Sequence, residues 1–256
     1  MTQDSTTEHG ALPAHQGCYV YGVVAGDLEV PGGLAGLDEG RVELVRYGDV
    51  AAAVTVIEVE RPPGRRKDLL AHSAVLDALA GAGPVVPVQF GSVLADPASV
   101  VEDVLAPDHD RFAGLLEQLT GRSQFNLRAS YNEAAVLAEV VAEDTEIARL
   151  REQTRDLPEE VAYGDRVRLG ELVAAALEQK REVDGGILLD AVLPHVTDHV
   201  VRNGAGVDHL LDVAFLVDED RREGFEDALE SMAEAMHERA RLQLFGPLAP
   251  YDFVEG

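Results

Sequence analysis

Gln124-Phe125-Asn126-Leu127-Arg128-Ala129-Ser130-Tyr131 alternates between polar and apolar residues, and Asn132 follows it at the head of a helical pattern. Period-two alternation marks a strand with one face in a core, and Asn at a helix entrance caps the first turn. The helix it starts runs through Val136, Leu137, Val140 and Val141. A helical stretch from about residue 158 to 181 carries Leu169, Leu172, Val173, Ala176 and Leu177 on one side. Gly185-Gly186 is expected to separate it from a shorter helix ending before Pro194. Apolar runs over 196–202 and 209–217 bracket Asn203-Gly204-Ala205-Gly206 as a hairpin. Phe225, Leu229, Met232 and Met236 mark an amphipathic helix, and 241–245 reads as a last strand. The order β, helices, β, β, α, β predicts a modified ferredoxin-like fold with extra helices in the first crossover.

The first half has related ingredients in a different order. Residues 1–16 are polar and read as a disordered arm. A strand follows from Cys18 to Ala25, and the Gly-rich stretch 26–40 is loop. Gly48-Asp49 between two apolar runs, 41–47 and 50–58, predicts a hairpin. Leu69, His72, Leu76 and Leu79 give a helix over 66–80, stopped by Gly81-Ala82-Gly83-Pro84. Val85–Phe90 reads as a short buried strand made partly irregular by Pro87. Asp96-Pro97 then starts a helix, interrupted near Pro107 and resumed to Gly121. The fold class is therefore α+β in two domains: 17–121 and the ferredoxin-like 122–246, with a tail over 247–256.

Charge narrows the function. The chain has 256 residues, with 21 Lys+Arg against 47 Asp+Glu, a net charge of −26. Such a surface repels phosphate backbones and anionic membranes, so neither nucleic acid nor membrane is an expected partner. Cys18 is the single cysteine and sits in an apolar strand pattern, which fits a buried inert thiol and a reducing compartment. No run approaches the roughly 20 apolar residues of a membrane span. The expectation is a soluble cytoplasmic protein.

Catalytic signatures are missing. No Gly-rich phosphate loop, nucleophile elbow or His-Glu-x-x-His is present, and no cofactor is expected. His195 and His199 are spaced for a helical metal chelate, yet Pro194 argues against a regular helix there. His72 is the polar member of an apolar helical face. It is either a core-edge histidine bonded to a carbonyl or a contact residue beside Pro87–Gly91. Arg61, Arg65, Arg66 and Lys67 form a basic concentration, either a solvated loop or a docking point for acidic groups. The acidic clusters at 143–146, 159–160 and 218–220 read as solvated helix ends.

The C-terminus runs against expectation for a tail. Leu244-Phe245-Gly246-Pro247-Leu248-Ala249-Pro250-Tyr251-Asp252-Phe253-Val254 is apolar and stiffened by two prolines. Taken with Tyr19-Val20-Tyr21-Gly22-Val23-Val24, with His72 ahead of Val86–Gly91, and with Phe215-Leu216-Val217, it resembles the gas vesicle protein F/L family over roughly 18–254. Leu248 stands where many relatives have Trp, and Ala249 where they have one Pro of a Pro-Pro pair.

That resemblance implies a non-enzymatic accessory or minor structural protein of gas vesicle assembly. The implied partner is the small hydrophobic shell protein A, and possibly other gas vesicle accessory proteins. It also marks Tyr21, His72, Pro87, Phe90, Gly91, Gly246, Pro247, Pro250, Tyr251 and Phe253 as candidate motif or partner-contact residues. The tail itself is expected to cross the domain boundary, burying Leu248, Tyr251 and Phe253. A small-molecule-binding or enzymatic α+β protein using the interdomain cleft is the competing reading.

Overall fold

Tyr19-Val20-Tyr21 and Val23-Val24 bury every side chain because the strand that carries them, β1 (Gln16–Ala25), lies inside its sheet with both faces covered. A computed structural model of the chain describes residues 16–59, 63–204 and 206–254. The arm expected over 1–16 lies outside the described residues except for Gln16. The expected Gly48-Asp49 hairpin forms from β2 (Glu43–Tyr47) and β3 (Val50–Glu58), paired antiparallel from Tyr47–Val50 outward. His109 pins its turn through Nε2 to Asp49 at 2.7 Å, while Nδ1 meets Asp110 at 3.0 Å.

The sheet order is β2-β3-β1-β4, with β4 (Val85–Pro87) and β5 (Val93–Leu94) both pairing with β1. β4 stops at Pro87, shorter than the strand expected to Phe90, since proline has no N–H for the ladder. A bulge between Val20 and Gly22 inserts Tyr21 as an extra residue. A side chain on Gly22 would place its Cβ 2.8 Å from the Val86 carbonyl, so glycine is what lets β4 approach.

α1 (Arg66–Ala80) packs Val75, Leu76 and Leu79 onto Tyr19, Tyr21 and Val24. Its start is capped by Asp68, whose carboxylate accepts from the N–H groups of Gly64 and Arg65. Lys67 pairs with Asp38 at 2.7 Å, so part of the basic concentration docks on this chain's own surface. Arg61 lies outside the described residues. Asp96 caps α2 (Pro97–Val100) by accepting from Ser99 N–H, a π turn follows, and α3 (His109–Leu119) resumes beyond Pro107. The described residues up to Gln124, together with those from Pro247 to Val254, form one compact unit.

The second unit spans Phe125–Gly246. β6 (Arg122–Tyr131) sends Phe125, Leu127, Ala129 and Tyr131 into the core, as the alternation predicts. Its sheet has the order β7-β8-β6-β9, from β7 (Asp198–Arg202), β8 (His209–Asp218) and β9 (Ala240–Leu248). Phe215 on β8 and Phe125 on β6 both meet Phe225 of α7 (Arg222–Met236), with ring centroids 5.5 and 5.4 Å apart. Asn132 caps α4 (Glu133–Glu143) through Ala135 N–H.

Two helical boundaries differ from the sequence reading. Gly185-Gly186 do not break the chain: α6 runs unbroken from Glu159 to Val192. Two helical glycines cost about 2 kcal/mol relative to alanine, and the buried Leu177, Asp184, Leu188 and Val192 around them hold one continuous face in the core. A separate helix, α5 (Thr145–Thr154), was not anticipated. Asp144 caps it by accepting from the N–H groups of Glu146 and Ile147, so part of the 143–146 acidic cluster is a helix cap. His195 lies in a short turn and His199 in β7, so the pair does not share a helix.

Candidate functional site

Four separated pieces of sequence meet around one imidazole. β1 supplies Tyr19 and Tyr21, α1 supplies His72, the segment after β4 supplies Phe90 and Gly91, and the tail supplies Tyr251. His72 is 1 % exposed. Its Nδ1 lies 2.8 Å from the Tyr19 hydroxyl and its Nε2 2.9 Å from the Tyr251 hydroxyl. The Tyr19 oxygen already accepts from Gly91 N–H at 3.2 Å, which directs the Tyr19 proton to Nδ1. Nε2–H then donates to Tyr251. His72 is thus a core histidine as one reading expected, bonded to tyrosines rather than to a carbonyl.

Rings complete the cage. Tyr21 stacks on His72 with centroids 5.7 Å apart, and Phe90 meets the same imidazole edge-on at 5.4 Å. The Tyr21 hydroxyl accepts from Leu37 N–H and donates to Thr55. Gly91 adopts φ +95°, a backbone conformation that suits glycine and presents its N–H to Tyr19.

Burial pushes the His72 pKa down to about 4 and the Tyr19 and Tyr251 hydroxyls up to about 12. All three groups are neutral at physiological pH. A histidine depressed in the folded state stabilises the fold fully above its unfolded pKa of about 6.5, and that contribution is lost as pH falls toward 4. We expect the protein to lose about 3 kcal/mol more stability over that interval than a His72→Leu variant. Parallel urea titrations at pH 7 and pH 4 check this; equal losses would count against it.

The tail is tied by more than Tyr251. The Gln124 side-chain amide donates to Asp252 at 2.6 Å and accepts from Asp252 N–H at 3.1 Å. Arg111 donates to the Val254 carbonyl at 3.0 Å. Burial is deepest at the small residues Ala249, Pro250 and Val254. Leu248 and Phe253 are half-buried, and Tyr251 is 39 % exposed, against the expectation that all three would be largely buried. The reason is that Tyr251 anchors through its hydroxyl and leaves part of its ring outside.

Of the candidate residues, Tyr21, His72, Phe90, Gly91 and Tyr251 come together. Pro87 is buried at the end of β4, Pro250 and Phe253 flank Tyr251 along the tail, and Gly246 and Pro247 are exposed at the end of β9. Tyr19, Gln124 and Arg111 escaped selection. The Tyr19-x-Tyr21 spacing on one strand was the available signal; nothing marked the other two.

A second buried polar group lies in the Phe125–Gly246 unit. Asp184 accepts from Tyr131 at 2.7 Å and from Arg239 at 2.9 Å, while Arg239 also forks onto Glu139 at 2.7 and 2.9 Å. Arg239 holds the Glu139 carboxyl below its usual range. Beside it, between α4 and α6, is a cavity of about 350 Å³ lined by Val140, Glu143, Asp144, Lys180 and Val183. Lys180 bonds Glu139 and Glu143 there, and Asp184, already bonded to Tyr131 and Arg239, also borders it.

Comparison with known proteins shows the family and the fold. The sequence model of the family described as "Gas vesicle synthesis protein GvpL/GvpF" matches residues 17–255. Gas vesicle protein F of Streptomyces sp. strain CB03234 is 34 % identical over 242 residues, covering 93 % of this chain and 99 % of that one. Gas vesicle protein L of the same strain is 28 % identical, covering 92 % of each. The crystal structure of GvpF from Anabaena sp. PCC7120 superposes with a TM-score of 0.82 at 22 % identity, over 94 % of this chain and 98 % of that one. The fold is a mixed helix-and-sheet architecture with two antiparallel sheets. The chain belongs to the GvpL/GvpF family of gas vesicle proteins.

Proposed function

We propose that the protein is a non-enzymatic assembly factor or minor component of gas vesicles, which binds the hydrophobic shell protein A and limits its aggregation during nucleation. Family membership over residues 17–255 carries the reading. The surface supports it: a body of net charge −26 stays dispersed, while exposed apolar residues such as Leu244 and Phe245 offer limited sticky area. No helix among the described residues is long and apolar enough to cross a membrane, and we place the protein in the cytoplasm at the vesicle.

In this reading the His72 cage is a positioning device. His72 is too buried to touch a partner, and the exposed Gly91, Gly246, Pro247 and Tyr251 are the motif residues open to one. We read the Phe125–Gly246 unit as a modified ferredoxin-like fold, with α4 and α5 as the extra helices of its first crossover.

Co-purification with shell protein A tests the reading, and absence of association together with normal vesicles in a deletion strain would sink it. Binding should survive or tighten in molar salt, since burial of apolar area is not screened whereas exposed charge pairs fade beyond a Debye length of about 8–10 Å. A steep loss of affinity with salt would instead point to charge-led docking, with Arg65 and Arg66 the first residues to mutate.

A further inference from the structure

Sheet edges are where a strand of another protein is either blocked or admitted. Three of the edges here are protected. β2 has five residues including Glu43 and Arg46, β7 has five including Asp198 and Arg202, and β4 and β5 have three and two. Short length and charge are the usual means of blunting an edge.

β9 has neither. It runs nine residues, Ala240–Leu248, at the end of the order β7-β8-β6-β9, and contains no acidic residue and one charge, Arg241. Leu244 is 39 % and Phe245 47 % exposed. Successive strand residues point to opposite faces, so both faces are partly open at this point. Among the described residues, no backbone hydrogen bond joins 241–248 to a segment outside the sheet.

The geometry points to the outer edge of β9 as a strand-addition site for an extended apolar strand of the hydrophobic shell subunit. An added strand would satisfy the outward N–H and C=O groups of β9 and set its own apolar side chains against Leu244 and Phe245. A second copy of this chain is a poor occupant, because it would bring another body of net charge −26 to the same edge. An acid-poor apolar strand meets no such repulsion at an edge that itself lacks acidic groups. This inference rests on the proposed binding of the shell subunit and specifies where that binding happens.

The test uses the full chain with purified shell protein A, reading both affinity and amide hydrogen exchange along β9. Leu244→Lys/Phe245→Lys should weaken binding at least tenfold. Tyr163→Lys/Val167→Lys, which charges exposed apolar positions on α6, should leave it within twofold. Exchange at the outward amides of β9 should slow at least tenfold in the wild-type complex, a readout that does not depend on the variant folding. Tight binding without slowed exchange in β9, or an edge variant of unchanged melting temperature that binds like wild type, overturns the edge and leaves the assembly reading standing. Failure of the wild-type protein to bind at all removes both. A dimer of the free protein whose β9 amides are protected would assign the edge to a second copy and overturn the inference.

Discussion

Deletion of residues 247–256 is expected to lower stability by about 5 kcal/mol and the melting temperature by roughly 10–20 °C. Burial of Val254 contributes about 2 kcal/mol, and the hydrogen bonds through Tyr251, Asp252 and the Val254 carbonyl about 1 kcal/mol each. The deletion also strands His72 Nε2–H in an apolar cage. Tyr251→Phe, which removes that acceptor alone, should cost about 1–3 kcal/mol. Calorimetry of the three proteins checks the ranking. A truncated protein that melts with the wild type would show that the tail does not hold its unit together, and would move it among the elements free to bind a partner.

Arg239→Met should be nearly as damaging, at about 3–5 kcal/mol. The Asp184 side chain is 10 % exposed and faces Arg239 at 2.9 Å, so losing the guanidinium leaves a buried carboxylate with only the Tyr131 hydroxyl. Glu139 is better placed, because Lys180 also bonds it at 3.1 Å. Adding Asp184→Asn to Arg239→Met removes the stranded charge and should restore about half of the loss. Urea denaturation of the single and double variants measures this. A double variant no more stable than Arg239→Met would refute the stranded-charge account.

What the sequence made legible was local. Alternation placed Phe125, Leu127, Ala129 and Tyr131 on one face of β6, Gly48-Asp49 fixed the hairpin register, and Asn132 and Asp96 marked helix starts by chemistry that acts within three residues. Gly185-Gly186 misled because helix propensity is about 1 kcal/mol per glycine, less than Leu188 and Val192 gain by staying in the core. α5 was legible in principle from Asp144 ahead of Ile147 and Leu150, but the acidic residues around the cap resembled a solvated helix end. The cage around His72 was visible only as a set of motifs. That Tyr19 and Tyr251 would take opposite nitrogens of one ring depends on the tail returning across 179 residues of chain, which no local pattern encodes.

Residues from Pro247 to Val254 complete a unit begun more than 120 residues earlier, and this sets an order of events during synthesis. Everything up to Gln124 leaves the ribosome early, yet Ala249, Tyr251 and Val254 belong to the same compact body. At about 5–20 residues per second the intervening stretch takes roughly 6–26 s to make. Throughout that time the first unit lacks its tail, with the Nε2 side of His72 awaiting Tyr251. A chain that stops short of residue 249 is thereby distinguishable from one that reaches Val254 by the state of its first unit alone.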